Sequence, residues 1–139
     1  MNIHHQWEDE AKTILRVIMG GRFSWDEAAE ATNHVRLELS AIPHRVAVIA
    51  DYSRNVFVSP NYSENMRKLL YPPPPNIELL VTMGNPLKWE LFRMFLRMNG
   101  DLGIPNAYAD TLEEAFVIVE KFRAGKPLSL HQPPLDNVN

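Results

Sequence analysis

The chain has 139 residues, a formal net charge of −3 and no cysteine. This length suits one domain with its own core. The acidic balance gives no support for nucleic-acid binding, which needs a basic face. The lack of cysteine excludes disulfides, thiolate metal sites and cysteine nucleophiles. The apolar runs are too short to cross a bilayer, and the start of the chain is polar and unlike a signal peptide. We therefore expect a cytoplasmic protein that is not transmembrane.

The first part of the chain predicts a hairpin, a helix and a buried strand. Residues 3–9 and the β-branched segment TILRVIMGG form the predicted hairpin. Ser24 and Glu27 have the spacing of a capping box, in which two side chains reciprocally satisfy free backbone N–H groups at a helix start. The apolar run RVAVIA that follows this helix indicates a strand buried on both faces.

The middle of the chain predicts a second helix, a second buried strand and a third helix. SENMRKLL has helical spacing, and the proline run Pro72–Pro75 then forms an extended linker. IELLVTMG predicts the strand. Asn85 is a suitable N-cap for the third helix, and Pro86 is a suitable first helical residue.

The last part of the chain predicts one more strand and one more helix. NAYADT reads as a short strand, and Thr111 with Glu114 forms a second capping box. Residues 1–125 are therefore predicted to be a single α/β domain, and 126–139 a proline-rich tail. The predicted order is β-β-α-β-α-β-α-β-α, with a mainly parallel sheet covered by helices.

The third helix, LKWELFRMFLRM, is apolar around most of its circumference. The predicted core face consists of Leu87, Leu91, Met94, Phe95 and Met98. Trp89, Phe92 and Leu96 widen that face, and basic residues, among them Arg93, lie between them. One interpretation is a helix buried on more than one side by the proline run or the tail. The other is a groove for a partner helix, a lipid or a second subunit.

Three phrases of the sequence carry a resemblance to a known family. They are RVAVIAD followed by YSRNVFVSP, ELLVTMG leading into a helix, and YADTLEEAFVIV. Together with the order of elements, these phrases resemble the STAS domain, the SpoIIAA-like family of anti-sigma-factor antagonists. The resemblance implies a regulatory module that binds a protein.

The resemblance also assigns roles to the loop that follows RVAVIA. Asp51, Ser53, Phe57 and Val58 fit the register of the family's switch loop, but the family's phosphorylated serine falls on Pro60. Proline has no hydroxyl group and cannot accept a phosphoryl group. The phosphoserine switch that the resemblance would imply is therefore predicted to be lost.

Ser59 and Asp51 each have a structural and a functional interpretation. A Ser-Pro pair is a recurrent helix start, so we interpret Ser59 as the N-cap and Pro60 as the first helical residue. The alternative is phosphorylation of Ser59 itself. Asp51 is expected to accept backbone N–H bonds in the loop rather than to act in acid–base chemistry. Because a central strand ends at Asp51, the loop from Asp51 to Tyr62 lies where α/β sheets bind ligands.

The other candidate motifs predict neither a metal site nor catalysis. His4 and His5 are adjacent, and adjacent strand residues point to opposite faces, so they cannot easily chelate one metal ion. No phosphate loop and no nucleophile–base pair is evident. We therefore expect a protein without a cofactor that is not an enzyme, although a pair assembled from distant residues stays open.

Two functions follow from the sequence. The first is a non-catalytic STAS-like regulatory module that binds a protein partner as a homodimer. Its expected binding residues are Asp51, Ser53, Ser59, Tyr62, Trp89, Phe92 and Arg93. The second is a carrier that holds an apolar small molecule or lipid in a cavity under the third helix.

Overall fold

A computed structural model describes residues 2–55 and 59–126 of the chain. The predicted tail beyond Lys126 and the loop positions Phe57 and Val58 lie outside the described residues. The strands are β1 (Ile3–Trp7), β2 (Ile14–Met19), β3 (Val46–Asp51), β4 (Ile77–Met83) and β5 (Asn106–Ala109). The helices are α1 (Trp25–Ser40), α2 (Tyr62–Leu70), α3 (Pro86–Asn99) and α4 (Leu112–Arg123).

The five strands form one sheet in the order β1-β2-β3-β4-β5. β1 and β2 pair antiparallel as a hairpin, and every other neighbouring pair is parallel. The α/β class, the order of elements and the mainly parallel sheet are as the sequence predicted. Because parallel strands end at the same edge, the loops after β3 and β4 lie side by side.

Helices cover both faces of the sheet, and the alternation of side chains along β3 shows how. Ala47 and Ile49 point to one face, where they pack against Ile118 and Val119 of α4. Val46 and Val48 point to the other face and pack against α1. A third apolar cluster, which includes Met66 of α2 and Phe95 of α3, lies on the α1 side as well. The predicted burial of this strand on both faces is confirmed.

The helix starts follow the predicted local chemistry at α1 and α3, and in part at α4. The capping box of Ser24 and Glu27 is present at α1. Asn85 caps α3, and Pro86 is its first residue. At α4 the Thr111 side chain accepts the N–H of Glu114, but the Glu114 carboxylate accepts the N–H of Asp110 rather than that of Thr111.

The start of α2 differs from the prediction. The helix begins at Tyr62, and its N-cap is Asn61, which adopts a left-handed conformation with φ of 57° and makes no side-chain cap bond. Ser59 is buried, and its Oγ donates to the carbonyl of Phe23, 3.3 Å away. The predicted cap at Ser59 and Pro60 was wrong because a tertiary contact uses the hydroxyl.

The predicted core face of α3 was also wrong in most of its positions. The residues that α3 buries are Lys88, Trp89, Phe92, Phe95 and Leu96. Leu87, Met94 and Met98 are instead 69%, 49% and 75% exposed. When apolar residues surround a helix, their spacing cannot indicate which side faces the sheet.

The turn between β1 and β2 is organised by one carboxylate. Asp9 Oδ1 accepts the N–H groups of Thr13 and Ile14 at 2.9 and 3.1 Å, and Oδ2 accepts the Thr13 hydroxyl. Burial raises the pKa of Asp9. The hydrogen bonds and the charge of Arg123 lower it by more, so the pKa lies below its ordinary value.

We expect Asp9→Asn to lower the free energy of unfolding at pH 7 by about 1 kcal/mol. The stability from ionised Asp9 is present above the ordinary carboxyl pKa and is lost as pH falls through the lowered folded value. The variant should therefore lose less stability than the wild type on acidification. Denaturant unfolding below pH 6, roughly the region where carboxylates begin to titrate, measures this. The exposed neighbour Glu10→Gln is the control, and an acid dependence that Asp9→Asn leaves unchanged would contradict the prediction.

Candidate functional site

A cavity of about 180 Å³ lies between the sheet and helices α1, α2 and α3. Its floor consists of side chains on the α1 side of the sheet, including Val17, Val48 and Leu80. Ala28 and Ala31 face it from α1, and their small side chains leave space that larger residues would occupy. We call this space the cavity below.

Contacts between aromatic side chains link helices α1, α2 and α3 beside the cavity. The rings of Trp25 and Tyr62 are 6.2 Å apart, and those of Tyr62 and Phe95 are 6.1 Å apart, both in edge-to-face contact. Trp25 Nε1 donates to the carbonyl of Pro60, 2.6 Å away. These contacts connect α1, the loop before α2, α2 itself and α3.

The cavity has a polar end and an apolar end. Tyr52, Ser59, Thr82 and Lys88 all come from the carboxyl ends of β3 and β4 or from the chain that follows these strands. At the amino ends of the strands the lining is mostly apolar, and it includes Leu69, Leu70, Pro73, Pro74, Ile77 and Ile104. The cavity is therefore amphipathic along the strand direction.

Lys88 is the most unusual residue of the polar end. It lies in the first turn of α3 and is only 7% exposed. Its Nζ lies 5.7 Å from the ring centroid of Tyr52, within the range of a cation–π contact. Burial lowers the pKa of Lys88, because desolvation penalises the ammonium form.

The tyrosines at the polar end are neutral hydrogen-bonding groups at physiological pH. Burial raises the pKa of Tyr52 to about 12. Burial, reinforced by the charge that Tyr52 would carry, also raises the pKa of Tyr62. Their hydroxyl groups therefore keep their protons, and neither tyrosine contributes a negative charge to the cavity.

Asp51 and Ser53 lie at the same edge of the sheet but outside the cavity. Asp51 is 2% exposed, and its side chain points to the face that α4 covers. Its Oδ1 accepts the N–H and the hydroxyl of Ser53 at 2.9 and 2.6 Å. Its Oδ2 accepts Arg16 Nε at 3.1 Å. The expectation that Asp51 binds backbone N–H groups of the loop is confirmed.

The other predicted binding residues divide between the cavity and the rest of α3. Ser59, Tyr62 and Phe92 line the cavity. Trp89 is 2% exposed, lies outside the cavity, and contacts Tyr108 in a tilted arrangement with ring centroids 6.0 Å apart. Arg93 also lies outside it and pairs with Glu90 at 3.2 Å.

Sequence reasoning did not select Tyr52 and Lys88 as site residues. One signal was available for Lys88. It precedes Phe92 by four residues, so the two side chains share a side of the helix. Because Phe92 is a large apolar residue expected in the core, this spacing indicates that Lys88 lies against the core as well.

Within residues 2–55 and 59–126, no group of three or more histidine, aspartate or glutamate side chains is placed to hold a metal ion. None of the helices in that part of the chain has the length and apolar character required to cross a membrane. No family model matches the chain, and no curated protein or solved structure matches it either.

A close backbone contact holds the loop after β3 against the end of β4. Gly84 has φ of +84°, and a Cβ built there would lie 2.8 Å from Ser53 Cβ and 2.9 Å from Ser53 Cα. Gly103 also has a positive φ, of +71°, but a Cβ there would meet nothing within 4 Å. The positive φ favours glycine at both positions. Only at position 84 would a side chain also clash with a neighbouring residue.

We expect Gly84→Ala to destabilise the fold by about 2–4 kcal/mol, and Gly103→Ala by about 1–2 kcal/mol. The left-handed backbone contributes in both variants, so their difference isolates the clash with Ser53. Denaturant unfolding of the two variants beside the wild type measures it. Equal losses would show that the loop yields without cost and that the close contact does not hold it.

Proposed function

We propose that this protein binds and carries an apolar small molecule in the cavity. The observation that carries the proposal is a cavity whose lining is dominated by aliphatic and aromatic side chains, with a few polar groups at one end. This composition is typical of small-molecule sites, in which apolar contacts supply affinity and a few polar groups orient the ligand.

The size of the cavity sets the size of the ligand. An apolar cavity of roughly 150 Å³ in another protein binds benzene. A volume of about 180 Å³ therefore suits a molecule of about ten non-hydrogen atoms, or one end of a longer chain. A ligand that binds the folded state and not the unfolded chain stabilises the fold. We therefore expect ligand binding to raise the melting temperature clearly.

We expect native mass spectrometry of the freshly extracted protein to show one bound apolar molecule per chain. Adding octan-1-ol to protein stripped of this molecule should raise the melting temperature, because the alkyl chain fills the cavity. A single protein mass after gentle extraction, together with a melting temperature that octan-1-ol does not move, would contradict the proposal.

Two variants of α1 test whether the bound molecule occupies the cavity. Ala31 faces the cavity, and Ala31→Leu adds three carbon atoms to its wall. Ala29 is on the same helix and does not line it. Ala31→Leu should reduce both the bound mass and the octan-1-ol effect, while Ala29→Leu should leave both in place.

A second candidate function is protein binding, as the STAS resemblance implies, through the apolar surface of α3. Leu87, Leu91, Met94 and Met98 repeat at helical spacing, and three of them are among the exposed large apolar residues. We call this stripe the α3 ridge. An exposed apolar stripe can pack against its own copy around a two-fold axis, so the proposed partner is a second copy of the chain. The order of elements supports the STAS-like interpretation.

We expect the wild type to sediment as a dimer. The double variant Met94→Gln with Met98→Gln should sediment as a monomer, because it makes the ridge polar without adding charge. Arg97→Gln is the control, since Arg97 is exposed on the flank of the same helix. A wild type that stays monomeric at every concentration, or a double variant that stays dimeric, would eliminate this function.

A further inference from the structure

The charged residues of the cavity wall all have the same sign. Of the described residues that line the cavity, Lys88 and Arg36 carry formal charge, and none is an aspartate or a glutamate. Arg36 lies toward the apolar end, where its Nη2 donates to the carbonyl of Leu69 at 2.8 Å. At the polar end, the basic group is Lys88.

The polar end offers donors to a ligand. Lys88 carries an ammonium group, and the hydroxyl-bearing residues Tyr52 and Thr82 line the same end. Such a basic end suits an oxygen-rich ligand group with negative charge, which accepts charge-assisted hydrogen bonds. A neutral alcohol or hydrocarbon gains no attraction between opposite charges there.

We infer that the ligand is an apolar carboxylic acid, with its carboxylate at Lys88 and its hydrocarbon part toward Leu69, Leu70 and Ile77. This inference rests on the proposed carrier function and adds the chemical class of the ligand. The apolar end at the amino ends of the strands accommodates the hydrocarbon. The lowered pKa of Lys88 agrees with this assignment, because a buried amine gains the most from a nearby anion.

The test compares octanoic acid with octan-1-ol, two probes with the same number of carbon atoms and different head groups. Isothermal titration of the full chain measures both affinities at neutral pH. We expect the acid to bind at least about tenfold more tightly than the alcohol, the effect of one charge-assisted bond in a desolvated site. This comparison uses the wild type alone, so it does not depend on whether a variant folds.

Lys88→Met removes the ammonium and keeps an apolar side chain of similar length. It should weaken octanoic acid binding about tenfold or more and change octan-1-ol binding by less than about twofold. Lys68→Met is the matched control, because the Lys68 side chain is 71% exposed on α2, and both affinities should stay at the wild-type value.

The outcomes separate this inference from the proposal on which it rests. If neither probe binds the wild type, the carrier function itself fails. If both probes bind equally, or if Lys88→Met leaves the acid affinity unchanged, the carboxylate assignment is overturned and the carrier function stands. Tighter binding of octyl phosphate than of octanoic acid would also overturn the assignment, in favour of a phosphate head group.

Discussion

The central constraint on this molecule is the burial of β3 and β4 on both faces. One face needs α4 alone, which packs Ile118 and Val119 directly onto the sheet. The other face is covered by three helices. Aromatic contacts from Trp25 through Tyr62 to Phe95 brace these helices against one another. Protein interiors are close-packed where neighbouring surfaces can approach. The cavity lies on this face, where the small side chains of Ala28 and Ala31 line it.

The alternation of side chains along the strands decides which polar residues serve the cavity. Asp51 ends β3 on the α4 face, so its carboxylate pairs with Arg16 instead of reaching the cavity. Thr82 belongs to the other face and lines the cavity. A displacement of one residue along β3 would exchange these faces and bring a carboxylate beside Lys88. The strand register therefore keeps the negative charge of Asp51 away from the cavity.

Local patterns predicted the elements because their causes are local. The capping box of Ser24 and Glu27 needs only neighbouring residues, and the continuous apolar run of β3 reports its burial directly. Ser59 failed as a cap because Phe23, 36 residues earlier, offers its hydroxyl a tertiary partner. The cavity was hypothesised from the apolar breadth of α3, but its lining depends on the distances between the sheet and helices α1, α2 and α3. The spacing of residues along the chain does not encode these distances.

A lysine is an unusual residue for the buried side of the first turn of α3. An ammonium loses solvation in the interior, and the first turn of a helix carries partial positive charge that disfavours a cation. An apolar residue would suit the same wall next to Phe92 and would incur neither cost. Sequences break such rules where function requires it. The carboxylate of the proposed ligand suits this position, because an anion is favoured near a helix N-terminus and attracts the ammonium. Under the proposed carrier function, Lys88 therefore connects the start of α3 to the head group of the ligand.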